Sequence, residues 1–65
     1  MFDTRPLNVI RSELDKLKQD QMQFLAGGGA KDFAEYRHIC GIIRGLGHAD
    51  ELVKDLVLRI DINDE

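Results

Sequence analysis

The chain has 65 residues, of which 43% are hydrophobic and 32% are charged, and its formal net charge is −3 at pH 7. This length fits one small domain, and the apolar fraction is typical of a globular chain and not of a disordered one. The lone Cys40 excludes a disulfide within the chain, no apolar run approaches the ~18 residues of a transmembrane helix, and residues 1–5 lack the apolar core of a signal peptide.

The first predicted helix covers about residues 5–26. Pro6 suits its first turn, where a missing backbone N–H costs nothing, and Asp3 or Thr4 is a plausible N-cap. Apolar or uncharged side chains recur at helical spacing along one narrow seam: Leu7, Ile10, Leu14, Leu17, Gln21 and Phe24. A seam of this width is expected to meet one partner helix. Arg11 is expected to pair with Asp15, one helical turn away.

Glycines at 27–29 predict a tight turn over residues 27–30, because a glycine just past a helix readily takes the left-handed conformation. A second helix is predicted over about residues 32–60, where Asp32 and Glu35 have the spacing of a capping box, and residues 61–65 form an acidic tail. Short connections join antiparallel neighbours. The sequence therefore predicts a single all-α domain over residues 1–65, an antiparallel two-helix hairpin completed by oligomerisation or by a partner.

The second helix carries more apolar surface than the first helix can cover. One side of its projection contains Tyr36, Ile39, Ile43, Leu46, Val53 and Val57. The adjoining side contains Ala34, Gly41, Gly45, Ala49, Leu52 and Leu56. Soluble monomers rarely expose so large an apolar patch, which predicts contact with another molecule. The predicted partner interface consists of Tyr36, Ile39, Gly41, Ile43, Gly45, Leu46, Ala49, Val53 and Val57. Which half of the helix faces the first helix stays open at this point.

The small residues Gly41, Gly45 and Ala49 lie one helical turn apart and would let another helix approach closely. The alternative is a break near residues 45–48, which would leave helices at 32–45 and 49–60 in an arrangement resembling a helix-turn-helix. An acidic start at residues 49–51 and the negative net charge argue against DNA binding, since phosphate contacts dominate that affinity.

Residues that could carry chemistry are few. His38 and Cys40 are two positions apart, so they point about 200° apart on a helix and would not bind one metal ion or act as a nucleophile and base. His48 lies nearly three turns from His38, and the glycines at 27–29 lack the Lys-Ser/Thr of a phosphate loop. The sequence therefore predicts no enzyme, no catalytic residue, no metal and no cofactor.

Residues 32–46, continuing through 49–56, resemble small helical proteins of tailed bacteriophages that are encoded among virion-morphogenesis genes near the portal gene. The positions that carry the resemblance are Tyr36, Ile39, Gly41, Ile43, Gly45 and Leu46. It implies a non-enzymatic phage structural or accessory protein that binds the head, portal or tail, in the virion or the host cytoplasm. The expected partner is a phage structural protein, another copy of the chain, or both, without nucleic acid or membrane. The alternative is a small phage-encoded inhibitor or regulator of a host protein.

Overall fold

A computed structural model describes residues 3–63, which form two α-helices, α1 (Arg5–Ala26) and α2 (Phe33–Asn63). The helices pack against each other as an antiparallel hairpin, which confirms the predicted all-α architecture. α2 continues three residues past the predicted end, so residues 61–63 of the expected tail are helical and residues 64–65 lie outside the described part. At 1.5 Å per residue α2 is about 46 Å long and extends beyond α1.

The first turn of α1 contains Pro6, and the N-cap residue is Thr4. The Asp3 carboxylate accepts a hydrogen bond of 3.0 Å from the Arg5 backbone N–H and also contacts the Arg5 guanidinium at 2.9 Å. These bonds hold the pKa of Asp3 below its ordinary value. Of the two N-cap candidates, Thr4 holds the position but makes no side-chain capping bond, and the side-chain bond to the start of the helix comes from Asp3, one residue earlier.

The glycine turn forms a Schellman motif. Gly28 has a φ of 76°, and its N–H donates to the Leu25 carbonyl at 3.0 Å. The Gly29 N–H donates to the Phe24 carbonyl at 2.9 Å, which completes the pair of bonds that defines the motif. A Cβ on Gly29 would overlap the Phe24 ring. Glycine at position 28 is therefore favoured by the backbone conformation, whereas a side chain at position 29 would require the exposed Phe24 ring to move.

Asp32 caps α2 as predicted, because its carboxylate accepts a hydrogen bond of 2.8 Å from the Glu35 backbone N–H. The Glu35 carboxylate lies 3.8 Å from the Lys31 ammonium. From this cap α2 runs as one uninterrupted helix through residues 45–48. The alternative with a break there, and with it the helix-turn-helix arrangement, is therefore wrong.

One ion pair joins the two helices near their middle. The Arg11 Nε lies 2.9 Å from Asp50, and a second, longer contact of 3.4 Å joins the same two groups. The expected pairing of Arg11 with Asp15 in the same helix is wrong, because Arg11 lies on the side of α1 that faces α2. The contact lowers the pKa of Asp50 and raises that of Arg11, since each charge stabilises the other.

Candidate protein-interaction face

The residues between the helices follow one heptad scheme, with positions labelled a to g and Leu7 and Ile39 each at a. Positions a and e of α1 are all half-buried: Leu7, Arg11, Leu14, Lys18, Gln21 and Leu25. Positions a and e of α2 are buried or half-buried: Ile39, Ile43, Leu46, Asp50, Val53, Val57 and Ile60. Each helix therefore meets the other along its a and e positions.

The core made by these positions is thin. Among the described residues, the buried hydrophobic side chains are Ile39, at 6% exposure, and Val57, at 8%. The chain measures 50 × 15 × 12 Å, and its radius of gyration is 15.2 Å, against about 11 Å for a compact domain of this length. Two helices side by side have no third layer to cover them, so their remaining faces stay in water.

The d positions of both helices are apolar and only partly covered. We name this set the d face: Ile10, Leu17 and Phe24 of α1, and Ile42, Ala49 and Leu56 of α2. Ala49 is half-buried and the other five are exposed, with Leu17 at 51%. The sequence-based seam was therefore half right, because Leu7, Leu14 and Gln21 meet α2 whereas Ile10, Leu17 and Phe24 do not.

The two rows of d positions lie on the same side of the hairpin. In each helix d is displaced from the a and e positions in the same rotational sense. Because the helices run in opposite directions, this equal angular offset about each helix axis places the d positions of both helices on the same side of the hairpin. The opposite side holds a groove lined from both helices by charged side chains, among them Asp15, Lys18, Arg44 and Glu51. The d face and this charged groove thus lie on opposite sides of the hairpin.

Gly45 borders the d face on α2, whereas Gly41 lies at a c position on the outer side of the helix, in a groove shared with Tyr36 and Arg37. Gly41 and Gly45 are exposed, and a Cβ built on either would meet nothing within 4 Å. The close helix approach that these glycines permit is therefore not made by α1. Leu52, at 71% exposure, lies one heptad after Gly45 on the same edge. This edge of α2 is accessible to another helix.

The residues predicted as the partner interface are divided by the fold. Those at a or e positions toward α1 are Ile39, Ile43, Leu46, Val53 and Val57. Gly45 and Ala49 lie beside or on the d face, and Gly41 lies on the outer side of α2.

Tyr36 lies away from the d face, where its ring stacks on Phe33 at 6.3 Å between centroids, and Arg37 lies 6.0 Å over the same Phe33 ring. The d-face residues that were not part of the predicted interface are Ile10, Leu17, Phe24, Ile42 and Leu56. The 3-4 spacing placed the three α1 residues on one apolar seam. It did not show that they remain exposed beside α2.

The candidate chemical groups lie apart from one another. Cys40 is half-buried on the side away from His38, and hydrogen bonding with its thiol raises the pKa of the Tyr36 hydroxyl. Within residues 3–63, no three His, Cys, Asp or Glu side chains are placed so that they could hold a metal ion. In the same range, neither helix has an apolar stretch long enough to cross a membrane.

The chain exposes more surface than its size requires. Its accessible area is 5136 Å², whereas a compact protein of 7.4 kDa exposes about 4200 Å². The exposed d-face residues contribute to this excess, and so do apolar side chains elsewhere, among them Phe33 and Val9. No family model matches the chain, and no curated protein or solved structure matches it either.

Proposed function

We propose that this protein is a non-enzymatic interaction module that completes its core by packing the d face against another protein. The observation that carries the proposal is a contrast within the described residues: only two hydrophobic side chains are buried, whereas five of the six apolar residues of the d face are exposed. Burial of apolar area contributes about 25 cal/mol per Å², so an uncovered face of this kind is a large unused source of stability. Large exposed apolar patches are typical of sites for protein contact.

The charge distribution supports an interaction role over catalysis. Among the described residues, no polar or charged side chain is buried. Catalytic groups generally owe their perturbed pKa values to burial or to strong charge pairing in a cleft. The ion pair of Arg11 and Asp50 is only part-buried and joins the two helices, which accounts for its effect on both pKa values without a chemical step.

We further propose that the partner assembly is a tailed-phage particle, in which the protein is a structural or accessory component of the head, portal or tail. This setting rests on the resemblance of residues 32–46 and 49–56 to small phage proteins. Gly45, which carries part of that resemblance, is exposed beside the d face, and Gly41 is exposed on the outer side of α2. Both positions are accessible to another protein.

The test of this setting is quantitative mass spectrometry of purified particles of the phage that encodes the chain. A structural component is expected at a fixed number of copies per particle. Absence from washed particles would overturn the structural role and leave the role of a host-protein regulator.

A variant sharpens the test. Gly45→Leu fills the edge of the d face and is expected to reduce incorporation into particles while the helical circular dichroism signal is retained. Arg44→Leu, which adds a similar side chain on the charged side, is the control. Equal incorporation of both variants would contradict a role for the glycine edge in assembly.

A further inference from the structure

We infer that the occupant of the d face is a second copy of the chain, so that two hairpins form a four-helix bundle. This inference rests on the proposed interaction function, and it identifies the protein that covers the d face as a second copy of the chain. Three features of the described residues support it: the frame shared by the two helices, the size of the uncovered surface, and the separation of charge from the d face.

The shared frame is the first feature. In a four-helix bundle, the a and d positions of every helix point toward a common axis. Here each helix uses a and e positions against its neighbour and leaves d positions open on one side. From Leu7 to Phe24 and from Ile39 to Ile60, no a or d position carries a charged side chain. This is the pattern of two helices that contribute half of a bundle core.

The area is the second feature. The accessible surface exceeds that of a compact chain of this mass by about 900 Å². A stable protein interface buries about 800 Å² on each partner. One further hairpin of the same size would therefore bring the exposed surface per chain into the ordinary range.

Charge is the third feature. A two-fold dimer requires a face that is complementary to itself. The d face meets this requirement because all six of its residues are apolar. The opposite side carries Asp15, Lys18, Arg44 and Glu51, whose desolvation would oppose burial. The same side of each hairpin therefore faces inward and the charged side remains in solvent.

Sedimentation equilibrium of the intact chain, with reductant to keep Cys40 from forming a disulfide, tests the inference directly. The expected mass is twice 7.4 kDa. The melting temperature should rise with protein concentration, because dissociation accompanies unfolding. A monomer at all concentrations up to the millimolar range would overturn the inference, and so would a trimer or a larger closed oligomer.

A pair of leucine variants tests which side is buried. Leu17, on the d face, is 51% exposed in the single hairpin, and Leu58, away from that face, is 50% exposed. Leu17→Glu would bury an unpaired carboxylate in each copy and is expected to raise the dimer dissociation constant at least ~100-fold, about tenfold per copy. Leu58→Glu is expected to leave it within about threefold of the parent value.

The comparison remains informative even if the Leu17→Glu variant unfolds. If folding depends on dimerisation, this variant loses helical signal at low concentration and recovers it at high concentration, whereas Leu58→Glu does not show this dependence. Equal weakening of the dimer by both substitutions, or by neither, would overturn the assignment of the d face.

The inference and the proposed function fail differently. A dimer that is absent from phage particles supports the bundle and contradicts the particle role. A chain that is monomeric alone but present in particles at a fixed copy number contradicts the bundle and supports the particle role.

Discussion

Alanine substitutions at two glycines, Gly28 in the turn and Gly41 inside α2, should change the free energy of unfolding in opposite directions. Gly28 has a φ of 76°, a left-handed conformation that costs an L-residue about 1–2 kcal/mol. Alanine also lowers the conformational entropy of the unfolded chain, and this effect stabilises the folded state by about 0.4–1 kcal/mol. Gly28→Ala should therefore lower the free energy of unfolding by about 1 kcal/mol net.

Gly41 is the matched control. It lies inside α2, and a Cβ built there meets nothing within 4 Å. Since glycine in a helix interior is about 0.8–1 kcal/mol less favourable than alanine, Gly41→Ala should raise the free energy of unfolding by up to that amount. The two variants should differ by about 2 kcal/mol, which corresponds to about 8–16 °C in melting temperature for a domain of this size.

The assay is thermal denaturation followed by far-ultraviolet circular dichroism, with all variants at one protein concentration. A third chain, made by chemical synthesis with D-alanine at position 28, separates backbone conformation from side-chain contact. D-residues favour positive φ, so this chain should be at least as stable as the parent. If L-alanine at position 28 is harmless, or if D-alanine is as damaging as L-alanine, the assignment of a left-handed C′ residue to Gly28 is refuted.

Three further predictions concern the cap, the core and the ion pair. Asp32→Ala removes the hydrogen bond from the Glu35 N–H and should lower the free energy of unfolding, measured with urea, by about 1 kcal/mol. Asp32→Ser should retain most of the stability that this cap provides. Ile39→Ala should cost about 2–5 kcal/mol, since the site is buried, whereas Leu58→Ala should stay within about 0.5 kcal/mol. Because Arg11 lowers the pKa of Asp50, their contact stabilises the fold above the ordinary pKa of an aspartate, and this contribution is lost as the pH falls through the lowered value. Asp50→Asn should therefore flatten the loss of stability on acidification, and an unchanged acid profile would contradict this role.

Much of the hairpin follows from local chemistry. The turn at residues 27–30 depends on bonds between neighbouring backbone groups and on one left-handed residue, and the Asp32 cap depends on a residue three positions away. Such interactions have short sequence separation, so spacing and residue type are enough to predict them. The 3.6-residue period likewise marks the apolar positions of α1 and α2 before their partners are known.

The orientation of each apolar arc is a tertiary property. Helical projection places Leu14 and Leu17 in one seam, yet one of them meets α2 and the other remains exposed. The choice depends on how the helices rotate about their axes, and that rotation is set by the combined packing of all a and e residues. The same rotation brings Arg11 to Asp50, across 39 residues of chain, in place of Asp15.

By itself, the sequence determined that this chain forms two amphipathic helices with a glycine turn, and that its apolar surface exceeds what one hairpin covers. Local backbone bonds and periodicity are sufficient for those conclusions. Only the tertiary structure decided where the excess lies. Because antiparallel packing brings the d positions of both helices to one side, Ile10, Leu17 and Phe24 form a single face with Ile42, Ala49 and Leu56, and the charged groove lies on the other.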